Sequence, residues 1–447
     1  MSRGQTYGIE MACHSTRAYT SPVRRLHVIG RALSSHTSSP NLLVEPSDAL
    51  IDEPLTIRVS GLKLHQKITL SAFLRAEGKE FVSCAHYTAD DAGCVDTAVH
   101  SSGGGSFYGV EPMGLLWSMT SSKDKGAKRL LIKDVTRPYD VTMSVHADHV
   151  DLEAIKSANN ISSVLDTKHV RRWYLRNGVQ RIPVRKGRLR GTLFIPSGVA
   201  PYPAVLDMFG GSGGLFEFRA ALLASRGFFT FALAYLAFDG LPQNFDELDF
   251  DYFREAAEML SGHPLALPGG IGVIGSSFGG GLTNMLASFC DKVKAAVVIN
   301  GPPTSPLRDQ DVNGERIIGH IPRWSELSGD IILNYDHSDV LPMWRQGAKI
   351  LHLVSEDDRV LPSSVYRSLM QTIPRDKKHN IHSVFYPGAG HLLEPPFAPL
   401  CRESSIKIEY DALVIWGGDM QSHAVAQENS WKRILEHLNT HLSRISM

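Results

Sequence analysis

Cysteine is scarce in this chain. Cys13, Cys84, Cys94, Cys290 and Cys401 are the only five in 447 residues, and no two stand at metal-ligand spacing. An odd, scattered set excludes a disulfide framework and suits a reducing compartment. An excess of either charge is missing too. Lys plus Arg and Asp plus Glu each number 46, so the formal net charge is zero. That balance leaves no electrostatic footprint for nucleic acid or for an anionic membrane. No apolar run reaches the roughly 18 residues of a transmembrane helix, so no membrane span is expected. The sequence holds no His-Glu-x-x-His pattern, no clustered Cys and His, no internal repeat and no low-complexity block, and it calls for no metal or other cofactor.

What is present is ordinary globular material, 43% apolar and 21% charged. A single core stops growing at about 250–300 residues, so two domains are expected. The first forty residues differ from the rest. Arg3, Arg17, Arg24, Arg25 and Arg31 are spread among Ser and Thr, and Glu10 is the only acid before Glu45. Arg-rich, Ser-rich and acid-poor composition predicts a transit peptide over residues 1–40, with a mitochondrial matrix address, or a disordered tail of a cytosolic protein. From residue 41 to 168 short alternating segments such as Leu55–Val59 and Lys67–Leu74, separated by turns, predict a β-sandwich. Within it the run Ser101–Ser106 reads as a flexible turn, since it lacks the Lys and the strand–loop–helix context of a phosphate loop. Over residues 169–447 the pattern changes. A hairpin, Val179–Val184 with Arg190–Ile195, is followed by apolar strands alternating with helices. Strands are expected at Ala204–Phe209, Phe228–Tyr235, Ile271–Ile274, Ala295–Ile299, Ile350–Val354 and Ile381–Tyr386, and helices at Phe218–Arg226, Phe250–Ser261 and Gly281–Phe289. This predicts an α/β domain with a parallel sheet covered on both faces.

The chemistry concentrates at Gly275-Ser276-Ser277-Phe278-Gly279, a G-x-S-x-G match between a strand and a helix. That context is the nucleophile elbow of an α/β-hydrolase domain. The turn is so tight that the flanking residues must be nearly free of side chains, and Gly275, Gly279, Gly280 and Gly281 supply the room. Ser276 competes, but the register puts Ser277 at the apex. A serine hydroxyl needs a base, and the base an orienting acid, in chain order Ser, acid, His. The strand Ile350–Val354 runs into Ser355-Glu356-Asp357-Asp358, and spacing favours Asp358 over its acidic neighbours. The strand ending at Tyr386 runs into Pro387-Gly388-Ala389-Gly390-His391, making His391 the candidate base. An oxyanion needs about two backbone N–H donors. One is expected from Phe278. The other is expected from the glycine loop Gly210–Gly214, at Gly211 or Ser212.

Six stretches carry a resemblance to a known family. They are GGSFYGVEPMGLLW (104–117), RGTLFIP (190–196), DMFGGSGGLFEFRAALLASRGF (207–228), AAVVING (295–301), GHLLEPPFAPLC (390–401) and IWGGDMQSHAVAQENSW (415–431). Over roughly residues 42–440 the chain resembles the type I acyl-CoA thioesterases, which share a fold with bile acid-CoA:amino acid N-acyltransferase. The resemblance implies a β-sandwich followed by an α/β-hydrolase domain, and an acyl-CoA substrate. It carries the triad over to Ser277, Asp358 and His391. The N-acyltransferases of the family have Cys at the elbow, so Ser277 implies hydrolysis to fatty acid and CoA. Conjugation to glycine or taurine is the alternative, and a non-enzymatic binding protein is a third reading. Pro387–His391 is closer to the N-acyltransferase branch, and the segment between elbow and acid is shorter than in the family. The basic residues Arg171, Arg172, Arg185, Lys186, Arg188 and Arg190 could meet CoA phosphates, though a solvated hairpin face is the plainer reading.

Overall fold

The computed structural model describes residues 39–121, 129–157, 163–324, 331–332, 337–407 and 411–443. The transit-peptide expectation for residues 1–40 lies almost wholly outside them. Residues 39–443 form one compact unit.

The N-terminal part consists of two sheets. One has six strands in the order Asp48–Leu50, Val164–Trp173, Tyr139–Ala147, Lys67–Ala76, Lys79–Thr88 and Thr120–Ser121, all antiparallel except the first pair. The other has three: Asn41–Glu45, Thr56–Ser60 and Val95–Asp96. The strict alternation of Thr56–Ser60, exposed Arg58 between buried Ile57 and Val59, is that of a strand with one wet face. Two expectations are corrected here. The boundary at residue 168 falls inside the strand Val164–Trp173, whose pairing with Tyr139–Ala147 continues to Arg172. The run Ser101–Ser106 is not a flexible turn. It lies along the strand Lys79–Thr88, with His86 N donating to Gly104 O and Ser106 N to Cys84 O. A Cβ on Gly105 would stand 2.5 Å from Cys84 O, so its glycine serves close backbone approach rather than mobility.

The larger part is built on an eight-stranded sheet. In spatial order its strands are Gln180–Lys186, Leu189–Ile195, Phe229–Ala234, Ala204–Met208, Ile271–Ser276, Val293–Ile299, Lys349–Ser355 and Ile381–Tyr386. Numbered along the chain this is 1-2-4-3-5-6-7-8, with only the second strand antiparallel to the rest. This is the α/β-hydrolase sheet. Its middle strands are buried on both sides, and alternate residues feed two cores. Val205, Ile274 and Val297 face the helices Phe218–Ser225 and Met420–Leu442 and a core continuous with the N-terminal sheets. Leu206, Val273 and Ala296 face the helices Phe250–Ser261 and Phe278–Phe289. The helix after the elbow starts at Phe278, three residues before the expected Gly281. The glycines after the elbow serine lie in this helix, and packing demands that they be glycine. A Cβ on Gly280 would lie 2.8 Å from Gly301 Cα, and one on Gly281 would lie 2.9 Å from Pro306 Cγ. No helix among the described residues is long and apolar enough to cross a membrane.

Candidate active site

Three of the parallel strands deliver the candidate triad at their C-terminal ends, the edge where open α/β sheets bind ligands. Ser277 follows the central strand Ile271–Ser276. Its φ of 55° and ψ of −122° are unfavourable for any residue with a Cβ, a strain of about 1–3 kcal/mol. The turn is held by Ser277 N donating to Ile299 O at 2.8 Å, and by the N–H groups of Gly280 and Gly281 donating to Ser277 O. Side chains are shut out on either side of the elbow. A Cβ on Gly275 would lie 2.0 Å from Gly279 O, and one on Gly279 would lie 2.1 Å from Phe209 O. Ser276, the competing serine, has a buried Oγ without a hydrogen-bond partner.

Asp358 and His391 are brought together. His391 Nδ1 lies 2.7 Å from Asp358 Oδ2, with both side chains almost fully buried. The other carboxylate oxygen, Oδ1, accepts from the N–H groups of Val360 and Leu361 at 2.7 and 2.9 Å. An ionised carboxylate only accepts, so this contact takes a proton on Nδ1, and the neutral imidazole then has its lone pair on Nε2. The neighbouring acids are occupied elsewhere: Glu356 pairs with Arg367, and Asp357 with Arg359 and the Gly418 amide. The His391 ring also stacks on Trp416, with centroids 5.5 Å apart.

Ser277 and His391 line one cavity, together with Phe278 and the loop residues Gly210, Gly211 and Ser212. That loop runs against the nucleophile, since a Cβ on Gly210 would lie 3.5 Å from Ser277 Cβ. Its orientation is fixed from behind. The Tyr235 hydroxyl contacts the carbonyl oxygens of Phe209 and Gly210, the latter at 2.9 Å. In a trans peptide the N–H points away from the C=O, so the Gly210 and Gly211 amides turn away from Tyr235. Burial pushes the Tyr235 phenol far above its ordinary pKa, so it stays a donor.

The rest of the wall is largely apolar, with Phe209, Phe218, Ile299, Leu393, Trp431 and Ile434. Three charged side chains stand in it, and one of them, Arg219, is paired with buried Asp207. Arg129, from the N-terminal part, pairs with Glu394 at 2.5 Å and lies over the Phe209 ring. The five arginines among the basic residues singled out in the sequence are engaged elsewhere. Arg171, Arg185, Arg188 and Arg190 pair with carboxylates, and Arg172 is buried, donating to Ile51 O and Glu53 O.

Sequence reasoning missed Tyr235, Arg129 with Glu394, and Asn300. Asn300, in the left-handed region at φ 46°, donates from Nδ2 to His391 O at 2.8 Å and to Ser355 Oγ at 3.0 Å. Its Oδ1 accepts from Ser355 N at 2.7 Å. It thereby ties the base loop to the end of the strand Lys349–Ser355, which leads to the acid. A signal existed in the stretch 295–301, which carries the resemblance and ends in Asn300-Gly301.

The family model for the BAAT / acyl-CoA thioester hydrolase C terminal matches residues 248–444, and that for the acyl-CoA thioester hydrolase/BAAT N-terminal region matches residues 52–186. The chain is 38% identical over 422 residues to a bile acid-CoA:amino acid N-acyltransferase of Mus musculus, covering 90% of this chain and 97% of that protein. The chain belongs to the BAAT/acyl-CoA thioester hydrolase family. The peroxisomal succinyl-coenzyme A thioesterase of Mus musculus is 36% identical, with 90% and 96% covered. The mitochondrial acyl-coenzyme A thioesterase 2 of Rattus norvegicus is 35% identical, with 93% and 92% covered. The family thus holds both transferases and thioesterases. In this member the stretches 207–228, 295–301, 390–401 and 415–431 all contribute residues to the cavity wall.

Proposed function

We propose that the chain is a serine acyl-CoA thioesterase that hydrolyses fatty acyl-CoA to fatty acid and CoA. The carrying observation is the serine at the strained elbow, sharing a cavity with a histidine whose other ring nitrogen is held by a buried carboxylate. His391 Nε2 takes the proton of Ser277 Oγ as the oxygen attacks the thioester carbonyl. The amides of Phe278 and of Gly211 or Ser212 receive the oxyanion. His391 returns the proton to the departing CoA sulfur, then activates a water that resolves the acyl-enzyme. No metal or other cofactor enters this scheme. An apolar wall suits an acyl chain, with each buried methylene worth about 0.8 kcal/mol.

The reaction type turns on the nucleophile. An acyl-serine is an oxygen ester, less reactive towards amines than the thioester an acyl-cysteine would form, which favours water as the acceptor. The transferase reading is supported by the 38% identity to an N-acyltransferase and by the likeness of Pro387–His391 to that branch. The acid-poor, Arg-containing first forty residues support a mitochondrial address over a cytosolic one. The relatives include both a mitochondrial and a peroxisomal thioesterase. The test is release of CoA thiol from palmitoyl-CoA by the wild type and by Ser277→Ala, with and without glycine. Release that is lost in the variant and indifferent to glycine supports the thioesterase. Release that persists in Ser277→Ala refutes the nucleophile, and N-palmitoylglycine as main product refutes hydrolysis.

A further inference from the structure

The stretch 415–431 carries the family resemblance, yet the triad takes nothing from it. It contains His423, 2% exposed, in the first turn of the helix Met420–Leu442. Its ring spans the two residues flanking His391. Gly390 N lies 3.1 Å from His423 Nδ1, and His423 Nε2 lies 3.1 Å from Leu392 O. A backbone N–H only donates and a carbonyl only accepts. Both contacts therefore require one and the same neutral tautomer, with a lone pair on Nδ1 and a proton on Nε2.

We infer that His423 is a positioning residue: it brackets His391 through the backbone on both sides and so sets where the base stands relative to Ser277. The inference rests on the reading of His391 as the base.

Several features agree with it. The remaining backbone groups of His391 are held from other elements, its N–H by Trp416 O at 2.8 Å and its C=O by Asn300. Without His423 the Gly390 N–H and the Leu392 C=O would lose these partners, in a loop where Gly388 and Gly390 offer little stiffness of their own. The helix that carries His423 is registered on the same loop, with Asp419 N donating to Gly388 O at 2.7 Å and His423 N to Asp419 O at 2.8 Å. An imidazole is a costly filler for a dry core, whereas a fixed donor and acceptor on one rigid ring suit two backbone groups of opposite polarity. Burial pushes the ring's pKa down to about 4, which keeps the required neutral form at neutral pH.

The test compares His423→Leu, which removes both contacts at similar volume, with His423→Asn and His423→Gln. Asn places an acceptor near the position of Nδ1, and Gln a donor near that of Nε2. His391→Ala is the control. Rates are taken with palmitoyl-CoA and by labelling of Ser277 with a fluorophosphonate, at a temperature where circular dichroism shows each variant folded. Since a misplacement of about 1 Å can cost about 100-fold, kcat for Leu should fall about 10- to 100-fold with KM within about 2-fold. Labelling should slow in step, and Asn and Gln should each recover part of the loss. A folded Leu variant with wild-type kcat, or one whose KM alone changes, overturns the inference. Should Leu not fold, Asn and Gln carry the test, and wild-type kcat in both overturns it. If His391→Ala itself keeps wild-type activity, the reading of the base fails instead.

Discussion

Replacing Gly279 by alanine should disable the enzyme through its oxyanion loop rather than through its nucleophile. The added Cβ would sit 2.1 Å from Phe209 O and 2.6 Å from Met208 O, both backbone atoms. An ordinary carbon–oxygen contact is about 3.3 Å, so one backbone must yield by about 1.2 Å. The atoms it meets belong to the end of the strand Ala204–Met208 and the residue before the loop Gly210–Ser212, where an oxyanion donor is proposed. Overpacking of this kind costs about 1–3 kcal/mol of stability. A 1 Å misplacement at the reacting centre costs about 100-fold in rate, near 2.7 kcal/mol of barrier. Gly210→Ala is the matched contrast. Its Cβ would lie 3.5 Å from Ser277 Cβ and 4.0 Å from Ser277 Oγ, an ordinary contact. It should leave stability within about 1 kcal/mol of wild type, yet lower kcat/KM by crowding the space beside the nucleophile. The assays are palmitoyl-CoA hydrolysis and the guanidinium unfolding midpoint. A Gly279→Ala protein with wild-type kcat/KM and an unchanged midpoint would refute the close-approach argument and with it the placement of the loop.

Asp358→Asn should lower kcat by about three to four orders of magnitude while the protein stays folded, because an amide can favour the wrong imidazole tautomer; a steady-state assay beside a thermal melt checks this. Asp52 is buried and accepts from Arg226 and from Trp431 Nε1, so Asp52→Ala should destabilise by about 2–3 kcal/mol in urea unfolding, at the modest end because Arg226 stays 27% exposed. His423 ionises near 6.5 in an unfolded chain and is held to about 4 by burial in the fold. The unfolded state therefore binds the proton first, so its contribution to stability is full above pH 6.5, shrinks as pH falls, and levels off below about pH 4. At most about 3 kcal/mol is lost over that window, and His423→Leu should flatten that part of the stability–pH curve.

The elements best legible in the sequence are those whose cause is local. The helix Phe250–Ser261 and the strand Ile381–Tyr386 have the bounds their periodicity indicates. The elbow is readable because a tight turn writes its steric demand directly as glycines around one serine. The order serine, acid, histidine is readable because each follows a strand. Other features depend on distant partners. Whether Asp358 or Asp357 faces the base is a matter of side-chain direction at the end of a strand, and the local text is nearly the same for both. Gly280 and Gly281 must be glycine inside a helix, against their own propensity, because Gly301 and Pro306 pack against them. Tyr235, Asn300 and His423 look like an aromatic in a strand, a strand-end amide and a helix histidine. Only folding shows that Tyr235 reaches the loop proposed to hold the oxyanion, and that Asn300 and His423 hold the backbone around His391.

The Trp431–Asp52 contact has a consequence for the order in which the molecule assembles. It joins residues 379 apart in sequence, and the Arg129–Glu394 pair on the cavity wall joins residues 265 apart, whereas Asp358 and His391 are separated by only 33. Loop closure grows as the logarithm of length, so the longest of these closures costs about 2 kcal/mol more than that of the acid and base. Contacts of such separation also slow folding. A partly folded chain should therefore pair Asp358 with His391 well before the C-terminal helix seats, and show no activity in that interval. Refolding followed by circular dichroism should run ahead of refolding followed by thioester cleavage, and the lag between them is the time the first sheets and the last helix take to find each other.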